Sequence, residues 1–243
     1  MGDPRLQHIA ENFDHMKRNL NDTFRFQCTQ CGKCFINLED ILMSPQDVFK
    51  AAQALQMTPH DFVKLYCDCY LGSTSRMPIV RLMPRGSIKR CPLLKNRKCM
   101  IHDAKPAVCA MFPLGRAIRI DKKDAEKDKL PPMKVEYIIN DIDCGDNSET
   151  HTVKGWLESF GIPLNDEYFI EWQKTISLLS PRIQKLEKML SDEVCDKLID
   201  VLFIKLYLDY DMKADFFPQF VENAGDCVKM VKMVLALPNE EAV

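Results

Sequence analysis

From Val153 onward the apolar residues keep a helical spacing. Val153, Trp156, Leu157 and Phe160 fall three and four apart, which winds them onto one face, and Gly161 followed by Pro163 ends the run. Over residues 181–212 a longer stripe of Ile183, Leu186, Leu190, Val194, Leu198 and Leu202 predicts a packing helix that starts at Pro181 behind Ser180. Upstream the pattern is shorter and more often broken. A helix is expected before Asn21, a second after Ser44 with Pro45 and Asp47 in its first turn, and a third from Thr58-Pro59 into Tyr66 and Cys67. Residues 76–90 place Ile79, Leu82 or Met83 and Ile88 around two prolines and a glycine, which predicts only a short strand pair. Residues 121–134 are a charged run containing Pro131-Pro132 and predict a solvated loop. The expected fold is mainly α with little β: a loop-rich domain over residues 1–150, with a helical segment over 151–243 packed on it.

Cysteine changes this picture. Nine of the eleven cysteines lie in the first 144 residues, and only Cys195 and Cys227 follow. The opening MGDPRLQHIAENFDHMKRN has no apolar leader, and runs such as Val201–Ile204 are far short of a membrane span, so a cytoplasmic protein with no membrane segment is expected. In a compartment that keeps thiols reduced, grouped cysteines point to metal or redox chemistry rather than to disulfides. Charge divides the chain in the same way. The net charge is −2, but residues 151–243 hold 10 Lys or Arg against 16 Asp or Glu, which leaves the front basic. The total gives no push toward nucleic acid or anionic membrane.

The chemistry concentrates in CTQCGKC, where Cys28, Cys31 and Cys34 stand three apart in one loop and can turn around a single ion or cluster. Cys91, Cys99 and Cys109 follow at wider gaps, and a turn at Lys95-Asn96-Arg97-Lys98 would bring the first two together. Cys195 and Cys227 lie beside apolar stripes and read as core residues. From Cys69 to His102 there is no Asp or Glu, while Arg76, Arg81, Arg85, Lys89, Arg90, Lys95, Arg97 and Lys98 are basic. This stretch, 76–98, could offset thiolate charge or take an anionic ligand or protein partner. Without interleaved aromatics it does not favour nucleic acid. His102, Cys69, Asp141 and Asp143 are secondary candidates: a histidine near Cys99, an extra thiol two residues from Cys67, and two carboxylates beside Cys144.

These motifs resemble the CxxCxxCC, or YkgJ-like, family of zinc- or iron-chelating proteins, which includes flagellin lysine N-methylases. The likeness runs through Cys28, Cys31 and Cys34, Tyr66-Cys67, Cys91-Pro92-Leu93-Leu94, Cys99-Met100-Ile101-His102, Lys105-Pro106-Ala107-Val108-Cys109-Ala110-Met111-Phe112-Pro113 and Cys144-Gly145. It implies metal ligation by these eight cysteines, adding Cys67 and Cys144 to the two groups of three. Phe35 stands where the family has a fourth opening cysteine, and His102 replaces its tyrosine. A cubane exposes several irons over its faces and suits three close cysteines plus a distant thiolate, so an iron–sulfur cluster is preferred over zinc or mononuclear iron. The expected role is structural, redox or electron transfer. The methylase likeness implies S-adenosylmethionine, although the nine glycines include no GxG turn. A metal-delivery protein is a further alternative.

Overall fold

The computed structural model describes residues 4–29, 33, 41–96, 98–120, 133–140 and 144–237. The chain begins with α1 (Pro4–Met16), β1 (Lys17–Arg18), β2 (Thr23–Gln27), β3 (Leu42–Met43), α2 (Pro45–Ala54), α3 (Pro59–Tyr66), β4 (Cys67–Leu71) and β5 (Pro78–Leu82). It continues with β6 (Leu94–Lys95), β7 (Lys98–Cys99), a 3-10 turn (His102–Ala104), α4 (Ala107–Met111), β8 (Leu114–Ile120), β9 (Met133–Ile139) and β10 (Asp146–Thr152). Helices follow: α5 (Val153–Ser159), α6 (Glu167–Leu186), α7 (Asp192–Phe203), a π-helical turn (Ile204–Leu208) and α8 (Phe216–Ala236).

Helix accounts for 50% of the described residues and strand for 22%, so the expectation of a mainly α fold with little β is wrong and the chain is mixed α/β. The strands escape a periodicity reading for physical reasons. Four of them are two residues long, and β10 (DNSETHT) is polar throughout with no buried face. The strands β8 and β9 pair antiparallel from Leu114↔Ile139 to Ile120↔Met133. They flank the charged run, of which 121–132 lies outside the described residues while Met133 and Lys134 belong to β9.

Two compact units form, each from two stretches of chain: Met1–Cys34 with Ala107–Ile170, and Phe35–Pro106 with Glu171–Val243. In unit 1, β1, β9 and β8 make one antiparallel sheet and β2 pairs antiparallel with β10. Alternation in TFRFQ turns Phe24 and Phe26 inward and leaves Thr23 and Arg25 exposed. Those two rings join Ala110, Met111, Leu114, Tyr137, Val153, Leu157 and Ile162 in one apolar core. At its edge Arg116 Nη1 donates to Asp166 Oδ2 at 2.6 Å, with side chains only 7% and 13% exposed, and the guanidinium lies 3.8 Å from the centre of the Phe169 ring. The other oxygen of Asp166 accepts the Phe169 N–H at 3.0 Å, which satisfies an open donor in the first turn of α6.

Unit 2 holds the sheet β3-β5-β4 with α2 and α3. Both helices start as expected: Ser44 Oγ accepts from Asp47 N while Asp47 Oδ2 accepts from Ser44 N, and Thr58 Oγ1 accepts from Asp61 N. The expected strand pair within 76–90 is corrected, because β5 pairs with β3 and β4, and 83–90 contributes only the bridge Arg85↔Arg90. The stripe of residues 183–202 is corrected too. Pro181 lies inside α6 rather than at a helix start, α6 ends at Leu186, and α7 begins at Asp192. Ile183, Leu186, Leu198 and Leu202 are buried, but the break turns Val194 out to 41% exposure. Cys227 is a core residue, whereas Cys195 is only partly buried. Among the described residues no helix is long and apolar enough to cross a membrane.

Candidate metal centre

Unit 1 contains three described cysteine-bearing segments that adjoin its β2–β10 ladder or its apolar core. Cys28 follows directly on Gln27, the last residue of β2, and Cys144 comes two residues before Asp146, the first of β10. Because Asp146 pairs with Gln27, both cysteines stand at the same end of the β2–β10 ladder. Gly145 makes this approach possible. Its φ is +73°, and a Cβ built there would lie 2.5 Å from the Gln27 carbonyl oxygen and 2.7 Å from the Phe26 ring, closer than any side chain tolerates. The third segment is α4, which carries Cys109. Ala110 and Met111 are buried in the core, and Ala107, Phe112 and Cys144 pack against it. The Phe112 ring meets Phe26 edge-on at 5.8 Å, so the Phe-Pro after Cys109 holds that segment to the strand leading to Cys28.

Polar bonds brace the same region. Trp156 Nε1 donates to the Met111 carbonyl at 3.1 Å, and His151 Nε2 lies 2.8 Å from the Phe26 carbonyl. The Gln27 amide, with its nitrogen turned to Glu149, donates at 2.8 Å. Cys28 is exposed, and Cys109 and Cys144 are half-buried. Cys31 and Cys34, with Phe35, Asp141 and Asp143, lie outside the described residues.

The other cysteines of the expected site belong to unit 2. The expected turn is present: β6 and β7 pair Leu94↔Cys99 and Lys95↔Lys98, with Asn96 in the left-handed region at φ 51°. Met100 N donates to the Leu93 carbonyl, and Leu94 N to that of Cys91, which folds buried Cys91 onto the base of the hairpin bearing Cys99. Cys67 ends α3, its N–H bonded to the Val63 carbonyl, and opens β4 opposite Leu82. The alternation of β4 sets Cys67 and Cys69 on one side of the strand, Cys67 buried and Cys69 exposed. Desolvation, and secondly the charge of Cys69, pushes the Cys67 thiol well up. Desolvation followed by the Asp68 carboxylate pushes the Cys69 thiol up to about 11. Both thiols are neutral at pH 7 unless a cation displaces the proton.

Within the basic stretch, Arg76 bonds Glu187 at 2.6 Å, and Arg81 reaches Asp68 at 3.5 Å while lying over Tyr70. Arg85 lies over the Tyr66 ring and donates to the Leu65 carbonyl. These three arginines have structural partners. His102 is exposed on the 3-10 turn, its Nδ1 lying 3.4 Å from Asp103 Oδ1.

Among the described residues no three His, Cys, Asp or Glu side chains come close enough to hold a metal ion. The candidate donors of unit 1 are thiols, and soft sulfur donors suit zinc, copper(I) or iron–sulfur centres. The comparison with known families agrees. Residues 27–133, less than half of the chain, match the model of the CxxCxxCC family, described as "Putative zinc- or iron-chelating domain", the family the cysteine spacing resembles. No curated protein and no solved structure matches the chain. The sequence reading missed His151 and Trp156 as neighbours of the cysteine segments. Trp156 read as one more core position of a helix, and nothing in a polar strand marks His151.

Proposed function

We propose that the chain is a thiolate metal-binding protein that carries an iron–sulfur cluster, with Cys28, Cys31, Cys34, Cys109 and Cys144 as its donor set; Cys67, Cys91 and Cys99 are candidate metal ligands within unit 2. Its role is structural or electron-carrying. The observation that supports this reading is that Cys28 and Cys144 stand at the same end of the β2–β10 ladder, while Cys144 and the helix bearing Cys109 pack on the same apolar core. Three cysteines at CxxCxxC together with distant thiolates suit the several irons of a cubane better than the four tetrahedral positions of one zinc ion. Half-burial of Cys109 and Cys144 strengthens binding, since metal–thiolate attraction is screened less there than in water.

Purification without oxygen, followed by a visible spectrum and a count of iron, acid-labile sulfide and zinc, tests this. A brown protein with sulfide equal to iron is the expected result. Colourless protein with stoichiometric zinc replaces the cluster with a zinc site, and a chain carrying neither overturns the proposal. Cys28→Ser and Cys109→Ser are expected to lose metal, and Cys195→Ser to keep it.

A further inference from the structure

We propose that His151 and Trp156, both beyond the family-matched segment, are positioning residues that hold the backbones carrying Cys28 and Cys109 in register for metal binding. The inference rests on the reading that those cysteines are ligands. Phe26 precedes Cys28 by two residues and Met111 follows Cys109 by two. The carbonyl of each is bonded by a side-chain ring nitrogen from outside its own segment: Phe26 by His151 at 2.8 Å, Met111 by Trp156 at 3.1 Å. A carbonyl can only accept, so His151 carries its proton on Nε2.

The two donors are not independent. Their rings meet at a tilt of 60° with centroids 4.7 Å apart, each lies 5.7 Å from Phe24, and Trp156 also meets Phe26 at 5.8 Å. A side-chain N–H on a carbonyl restrains that peptide, and the ring contact ties the two restrained peptides together. Movement of one cysteine segment against the other therefore breaks a hydrogen bond or a ring contact. The Gln27–Glu149 bond, one residue before Cys28, adds a third restraint from the same strand that carries His151. Metal donors must meet within a few tenths of an ångström, and outer groups that orient them typically matter by about 10- to 100-fold in metal affinity.

The test is a Co(II) titration of the reduced, metal-free full chain, followed through thiolate-to-cobalt charge-transfer absorption. Melting temperatures of the same metal-free samples are recorded alongside. Trp156→Phe removes the donor but keeps a ring, His151→Leu removes donor and ring, His151→Gln keeps an N–H donor, and Trp172→Phe in unit 2 is the control. Trp156→Phe and His151→Leu are expected to weaken Co(II) binding by about 10- to 100-fold, with His151→Gln recovering most of the loss and Trp172→Phe binding like the wild type. Wild-type affinity in Trp156→Phe and His151→Leu overturns the positioning role while leaving the ligand assignment standing. So does a loss that His151→Gln does not recover and that follows the fall in metal-free melting temperature. A wild-type chain without the charge-transfer band, or a Cys28→Ser chain that keeps it, overturns the ligand reading and this inference together.

Discussion

Gly145→Ala tests the local geometry at its tightest point. An alanine at φ +73° costs about 1 kcal/mol for the left-handed backbone alone. Its Cβ would also sit 2.5 Å from the Gln27 carbonyl oxygen, and because that atom is backbone, no side-chain rotation relieves the contact. The strand ends must separate by several tenths of an ångström, which gives up the pairing of Asp146 with Gln27, worth about 1 kcal/mol per hydrogen bond lost. The sum is about 2–4 kcal/mol, or a fall of roughly 5–15 °C in melting temperature for a chain of this size. Gly161→Ala is the internal control: φ is +64° there too, but among the described residues no atom beyond its chain neighbours lies within 4 Å of the added Cβ, so only about 1 kcal/mol is expected. The assay is thermal melting by circular dichroism, with metal content measured on the same samples. Gly145→Ala is expected to melt well below Gly161→Ala and to retain less metal, because the strand ends it separates lie beside Cys28 and Cys144. Equal melting temperatures and full metal in both variants would refute the close approach and its link to the site.

Three further outcomes follow from the fold. Asp166→Asn keeps the cap on Phe169 but strips the buried Arg116 of its counter-charge, so a loss of about 3–5 kcal/mol is expected by denaturant titration, and a loss below about 1 kcal/mol would contradict the buried pair. Leu202→Ala, at 0% exposure, should cost about 2–5 kcal/mol and Val201→Ala, at 42%, less than about 1; the reverse order would show that the face of α7 is misassigned. Burial pushes the Cys227 thiol up to about 12, so between roughly pH 9 and pH 12 the unfolded chain loses a proton that the folded chain keeps, and stability should fall as pH rises. Cys227→Ala should reduce that slope by up to about 1.4 kcal/mol per pH unit, and an unchanged slope would place the thiol in water.

How much of this is legible in the sequence depends on whether the signal is local. Ser44-Pro45…Asp47 and Thr58-Pro59…Asp61 are complete within four residues, and α2 and α3 begin where those caps fall. The hairpin joining Leu94 to Cys99 is likewise carried by its own turn. The stripe at residues 183–202 misled because periodicity does not see Glu187–Ser191, where the chain leaves α6 and restarts as α7 with Val194 turned out while Leu198 and Leu202 stay buried. Polar β10 owes its existence to pairing with β2, more than a hundred residues away, and no pattern within DNSETHT encodes that partner. For the same reason the cysteine spacing proposes ligands, while the donors behind them, His151 and Trp156, emerge only when the strands are paired.

In the proposed centre, sulfur from separate segments surrounds a metal. X-ray absorption at the metal edge, on anaerobically purified protein, counts those neighbours directly. A shell of about four sulfurs at roughly 2.3 Å is expected, reduced in Cys28→Ser and Cys109→Ser and intact in Cys195→Ser. A shell of nitrogen and oxygen at roughly 2.0–2.1 Å, unchanged by those substitutions, would contradict it.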